Sequence, residues 1–239
     1  GNDAVIYGWG IHFMRGTPTN GVDGGYSFEV RNLTFDKYPE DALGMEGIQD
    51  GSKLTAPVSR CWVHDVTFLP GFANPTAESD KSEGDGSCDF KRGEYFTLSY
   101  SKFIGAHKTN LVGSSDSSLQ YNITMHHNYW QNCGSRVPLS RQANIHMYNN
   151  YFEITDDNQN EISYGQNTRA NAYIYSENNY FQAVKNPSRV DGGAIKSYGD
   201  VKYSCFEKDG AVVVNSRDVK VNSGNKYENF DTNPSVFYY

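Results

Sequence analysis

Long apolar runs are missing from this sequence. No stretch approaches the roughly eighteen apolar residues of a membrane-spanning helix, and no charged-then-apolar leader follows Gly1. The expectation is a soluble chain without membrane contact, any secretory leader missing or already removed. Cysteine is scarce, and Cys61, Cys88, Cys133 and Cys205 form no CxxC pair of the kind that holds zinc. Burial and disulfides both remain open, with burial favoured because Cys61 and Cys205 stand in apolar, strand-like stretches. Positive charge is the minority sign: 21 Lys and Arg against 28 Asp and Glu give a formal net charge of −7. That balance argues against a general nucleic-acid or anionic-membrane binder. Amphipathic helical patterns are hard to find as well. Gly, Asn, Ser and Tyr are abundant instead, the composition of short strands joined by many turns. The length of 239 residues suits a single domain over 1–239.

A degenerate phrase recurs along the chain. It reads "FEVRNLTF" ending at Phe35, "CWVHDVTF" at Phe68, "FTLSYSKF" at Phe103 and "ITMHHNYW" at Trp130, then "IHMYNNYF" at Phe152, "IYSENNYF" at Phe181 and "VKYSCF" at Phe206. The shortest spacing, about 22 residues, sets the unit and puts the excess into loops. Each phrase opens with alternating apolar residues, the period-two mark of a strand. It turns at a polar position (Asn32, Asp65, His127, Asn149, Asn178) and closes on an aromatic. Stacked coils bring aromatic over aromatic in a continuous core, and amide or carboxylate side chains into a ladder across the bends. The predicted fold is therefore all-β, a right-handed parallel β-helix. A leucine-rich repeat would need leucines that are absent, and propeller blades would be longer and more even. Residues 70–87, rich in Gly, Pro and acid, read as a loop or a disordered linker.

At the end of that loop stands "DGSCDFKRG", with Asp85 and Asp89 four apart and Asp89 entering a strand. Two carboxylates from adjoining loop and strand suit a hard cation such as calcium, although the spacing is not that of an EF-hand and a solvated turn is the plainer alternative. Downstream the charge changes sign. Residues 91–141 hold Lys91, Arg92, Lys102, Lys108, Arg136 and Arg141 against only Glu94 and Asp116. A basic stretch abutting an acidic one is what a polyanion held by both metal and cations requires. Scattered surface charge is the competing reading, above all for Arg92 and Lys102.

Most of the chain from Val30 to Phe152 resembles family 1 pectate lyase, through "VRNLTF", "EDALGMEG", "WVHDVTF", "DGSCDFKRGEYFTLSYSKF", "HKTNLVGSSDS", "ITMHHNYWQNCGSRVPLSR" and "IHMYNNYF". The resemblance implies a secreted, calcium-dependent enzyme that cleaves polygalacturonate by β-elimination, a monomer with no nucleic-acid or membrane partner. The family's RxPxxR element matches "RVPLSR", which makes Arg136 resemble the catalytic base and Arg141 a clamp on a substrate carboxylate. Its KxxLxG element matches "KTNLVG", which implies a second carboxylate binder in Lys108. The metal ligands it implies are Asp85, Asp89 and Asp41, the aspartate of "EDALGM", with Lys91 as a further substrate contact. Two departures stand out. "WVHD" places His64 and Asp65 in altered order, and the family carries coils and a capping helix ahead of "AVIYGWGIHFM", so a short N-terminal end is expected.

The chemistry such groups serve is removal of the weakly acidic C5 proton of galacturonate, with expulsion of the glycosidic oxygen from C4. Cations around the substrate carboxylate stabilise the enolate-like charge. An arginine base is unusual, since guanidinium ordinarily keeps its proton above about pH 12; alkaline pH, calcium and neighbouring cations lower that cost. Competing readings are a pectin lyase, which needs no calcium aspartates, a polygalacturonase-like hydrolase, which needs paired acids, and a non-catalytic carbohydrate-binding rod. The pair His126–His127 resembles a metal pair, but adjacent strand residues point to opposite faces, which favours a structural role at a bend. "NLT" at Asn32 and "NIT" at Asn122 match the glycosylation pattern yet lie inside the repeats, so neither is expected to be modified.

Overall fold

Alternation decides which side chains turn inward, and stacking then decides what they meet. The computed structural model describes residues 2–14, 26–70, 84–155, 164–206 and 212–213. Among these, seven strands follow one another in chain order to form one parallel sheet: Ile11–Met14, Asp41–Glu46, Gly86–Lys91, Leu111–Val112, Leu139–Arg141, Gln166–Arg169 and Ser188–Asp191. After each of them the chain crosses to a thirteen-stranded sheet, where it adds strand on either side of a bend, as in Gln120–His126 and Tyr129–Gln131. In two early coils a single long strand, Tyr26–Asp36 or Val58–Leu69, runs through the bend. The architecture is the parallel β-helix expected from the repeat.

The inward positions line up rung by rung. Phe28, Cys61, Phe96, Ile123, Ile145, Ile174 and Ile195 form one file, and Val30, Val63, Leu98, Met125 and Met147 the next. The aromatic ends of the phrases form a third. Ring centroids are 5.4 Å apart for Phe35–Phe68, 4.7 Å for Phe68–Phe103, 5.3 Å for Phe103–Trp130, 4.7 Å for Trp130–Phe152 and 4.5 Å for Phe152–Phe181. Near-parallel stacking of this kind adds about 0.5–1.5 kcal/mol per pair beyond area burial. The four cysteines are buried thiols, none in a disulfide. Burial pushes Cys61 and Cys133 up to about 12, so they remain neutral filler.

Four expectations need correcting. The seventh phrase does not close the aromatic file at Phe206, because Phe181 pairs with Lys202, a buried residue, while Cys205–Phe206 joins Val212–Val213 in a separate antiparallel pair. The polar bend residues do not form the ladder either. Asn32, Asp65, His127, Asn149 and Asn178 all have φ between 50° and 55°, a left-handed turn that throws the side chain outward. The ladder belongs to the next residue along in the later coils. Asn128 accepts from Ser101 N, Asn150 from Asn128 N and Asn179 from Asn150 N, at 3.1, 3.0 and 2.9 Å, and Asp200 accepts from Asn179 N at 2.8 Å. The same turn overturns the opposite-faces argument for His126–His127, whose Nδ1 atoms lie 2.9 Å apart. Asn32 is exposed, so burial in a repeat does not protect it.

Within the predicted loop at 70–87, residues 71–83 lie outside the described residues. The altered "WVHD" is accommodated directly: His64 is bonded to Asp65 through Nδ1 and to Glu29 through Nε2, each at 2.7 Å. Arg92 pairs with Glu46 and Lys102 is exposed, as the scattered-charge reading expects.

Candidate active site

The seven-stranded sheet gathers the residues singled out by sequence. Register sets Asp41 against Gly86 and Gly44 against Asp89, so the two carboxylates rise from adjacent strands. They converge over the backbone of Gly86, where an added Cβ would stand 2.7 Å from Asp41 Oδ1 and 2.9 Å from Asp89 Oδ1. Lys91 spans the pair, its Nζ 3.6 Å from Asp41 and 3.5 Å from Asp89. Burial, then the charge of Asp41, pushes the Asp89 carboxyl up to about 7; Lys91, the Leu111 N–H and Arg136 act against that rise. Burial alone would lower Lys91, but Asp89 and Asp41 outweigh it and hold the ammonium above its ordinary range.

Asp85 is oriented differently. It lies at the loop end, its backbone N donating to Glu40 O at 3.0 Å, and its carboxylate accepts from Lys108 Nζ at 2.8 Å. Among the described residues no three His, Cys, Asp or Glu side chains meet as a metal cluster. Two carboxylates sharing one cradle do supply the hard oxygen donors that calcium takes, so the Asp41–Asp89 pair fits that ion, with Asp85 held one ion pair away by Lys108.

A short segment, Lys108–Leu111, ties this acidic cradle to the arginines. Lys108 bridges to Ser135, Asn110 N donates to Arg136 O at 2.7 Å, and Leu111 N donates to Asp89 Oδ1 at 2.9 Å. Asn110 Oδ1 also accepts from Trp130 Nε1 at 2.9 Å, which anchors the segment to the aromatic file. Arg136 itself takes φ 58°, turning the chain out of the coil before Leu139–Arg141 rejoins the sheet. Arg141 donates from Nε to Asp116 at 3.0 Å and from Nη1 to Gly113 O at 3.1 Å, which fixes its guanidinium at the sheet edge of the groove.

Arg136 and Arg141 line a cleft of about 780 Å³. Sequence reasoning missed Arg169, Lys185 and Arg189, which line it too, against one lining acid, Asp191. Arg169 lies one rung beyond Arg141 by register. Arg189 bonds Asp191 at 2.7 Å and packs its guanidinium over the Tyr164 ring at 5.3 Å. Aligning "SRQANIHMYNNYF" on "TRANAYIYSENNYF" would have set Arg169 upon Arg141. An acidic chain thus presents a strongly basic trough beside a paired-carboxylate cradle, a combination suited to a polyanionic chain held through a divalent cation.

The family model for pectate lyases matches residues 27–236. Over 165 residues, 66% of this chain and 42% of the relative, the sequence is 37% identical to a pectate trisaccharide-lyase of Bacillus licheniformis. It is 35% identical over 170 residues to pectate lyase B of Dickeya chrysanthemi, covering 68% of this chain and 42% of that one. A solved pectate lyase from Bacillus sp. N165, in complex with trigalacturonate, superposes with a TM-score of 0.62 at 26% identity over 91% of this chain and 67% of that one. The chain spans about 42% of the length of those two curated relatives. With the family model covering most of its residues and the coils stacked as a parallel β-helix, the chain belongs to the pectate lyase family.

Proposed function

We propose that this protein is a secreted, calcium-dependent pectate lyase that cleaves de-esterified polygalacturonate by β-elimination. The observation that carries the reading is the continuity of the acidic cradle with Arg136, through hydrogen bonds of Asn110 and Leu111, on the face that opens into the basic cleft. Asp41 and Asp89 hold calcium, with Asp85 completing the protein's share. When bound, calcium neutralises the substrate carboxylate and draws off the charge that develops on it.

The chain's own residues do the rest. Lys108 and Arg141 grip uronate carboxylates, and their fixed positive charge favours the enolate-like state over the ground state. Arg141 is held in place for this by Asp116 and Gly113 O. Arg136, as neutral guanidine, takes the C5 proton; the C–H electron pair forms the C4–C5 double bond, the C4–O bond breaks, the leaving oxygen takes a proton from water, and Arg136 returns its proton to solvent. Arg169 extends the cationic row by one rung, where a further uronate carboxylate of the same chain can be met.

The test is an assay with polygalacturonate and calcium, read as ultraviolet absorbance of an unsaturated product. Activity is expected to vanish with chelator and to fall about 10²–10⁴-fold in Arg136→Lys, with circular dichroism unchanged. Reducing ends without unsaturation would identify a hydrolase and overturn the proposal.

A further inference from the structure

His126 and His127 stand in the larger sheet, at the bend after Gln120–His126, outside the sheet that carries the cleft. His127 has φ 55°, and the turn brings its ring beside that of His126 with the ring planes at 88° and the Nδ1 atoms 2.9 Å apart. Both rings are braced. Tyr100 stacks on His127 at 4.9 Å and Tyr148 on His126 at 4.8 Å, so the pair is held in position without a ligand. His127 is exposed and His126 half-buried, which leaves one side of the pair open to solvent.

A neutral imidazole has one N–H and one in-plane nitrogen lone pair; without a metal the two Nδ1 atoms share an N–H···N hydrogen bond, and a cation between them takes the place of that proton. Metal–nitrogen bonds of about 2.0–2.1 Å put two ligands at a right angle about 2.9 Å apart, and at a tetrahedral angle about 3.3 Å apart. The observed spacing is the right-angle one, the geometry of square-planar or tetragonal ions. We propose that His126 and His127 bind Cu2+ or Ni2+, the two Nδ1 atoms filling adjacent equatorial positions and water the others. Coordination through Nδ1 places the remaining proton of each ring on Nε2. The Asn149 amide, whose Nδ2 stands 3.5 Å from His127 Nε2, turns its oxygen to the ring to accept that proton when the metal binds. Imidazole donors separate this site from the Asp41–Asp89 cradle, whose oxygens suit calcium.

Untagged protein, titrated calorimetrically with Cu2+ or Ni2+ in a non-chelating buffer, is expected to bind about one equivalent, with Cu2+ tighter than Ni2+ and Ni2+ tighter than Zn2+. His127→Ala removes an exposed ring and leaves the core intact; it should weaken binding about tenfold or more, while Asp89→Asn binds as the parent does. Electron paramagnetic resonance of the Cu2+ form should report two imidazole nitrogens in the parent and fewer in His127→Ala. Parent-like affinity in His127→Ala, or loss of binding in Asp89→Asn, overturns the assignment. A preference for Zn2+ overturns the right-angle geometry.

Discussion

At the scale of single residues, Gly86 does more for the site than its place in the "DGSCDF" motif suggests. Its missing Cβ is what lets Asp41 and Asp89 share one cradle, since a methyl there would fall within 3 Å of a carboxylate oxygen from each. Both clashing atoms are ends of side chains rather than backbone, so the sheet can absorb the change while the carboxylates swing aside. Gly86→Ala is therefore expected to fold normally and to lose calcium affinity about tenfold or more, measured by calorimetry alongside a thermal melt. An unchanged affinity would mean that the cradle is not the ion's seat. The acids, Lys108 and both arginines could be picked out in the sequence because they sit in local motifs. The pairing of Asp85 with Lys108 could not, because it joins residues from different coils whose separation in space depends on how the loops fold. Lys91 was visible as a charge, but its position across Asp41 and Asp89 follows only from the register of two strands.

At the scale of elements, the strands and bends were legible because their signals are local: alternation marks each strand, and a polar residue marks each turn. The off-by-one ladder was not, since which of two consecutive asparagines points inward depends on the left-handed φ of the first. Asn149 turns outward and is exposed; Asn150 is buried and makes the bonds. Its Oδ1 accepts from the Asn128 backbone and side chain, and its Nδ2 donates to Met125 O and Asn179 Oδ1. Asn150→Ala leaves buried partners unsatisfied, at about 1–3 kcal/mol for each group so stranded. Urea denaturation should accordingly show a loss of several kcal/mol or failure to fold. Asn149→Gly should be close to neutral, because glycine accepts φ 53° readily and Gly199 already sits at φ 68° before the last rung of the ladder. If the two variants behaved alike, the ladder would not be what stabilises the bends. The last coil escaped the sequence reading for a related reason: an aromatic was expected to close every phrase, and the register instead sets Lys202 beneath Phe181.

At the scale of the whole molecule, stacking turns separated residues into one surface, so a chain of net charge −7 carries a cleft lined by Arg136, Arg141, Arg169, Lys185 and Arg189. Stacking also carries the ladder to its far end, and there it meets a charge. Asp200 is buried, accepting from Asn179 N at 2.8 Å and from Ser176 Oγ at 2.5 Å. Burial pushes its carboxyl up to about 6, with the bonds from Ser176 and Asn179 restraining the rise. In the unfolded chain the same group titrates near 3.9, so between about pH 4 and pH 6 the folded state holds more protons. Its contribution is fully present below about pH 4 and is lost as the pH rises towards 6. His126 works in the opposite direction: burial, His127 and His146 push it down to about 4, so its neutral form favours the fold increasingly as pH rises through the same window. Total stability across this window therefore mixes these opposite trends with that of Asp89, whose raised carboxyl acts in the same direction as Asp200. Asp200→Asn separates them, because an amide keeps an oxygen for Asn179 N and carries no charge at any pH. Relative to the parent, this variant should gain stability from pH 4 to pH 6, on the order of 2 kcal/mol, and the difference should level off above pH 7. Urea titrations at several pH values measure it directly, and parallel profiles for the two proteins would show that Asp200 does not change its protonation on folding.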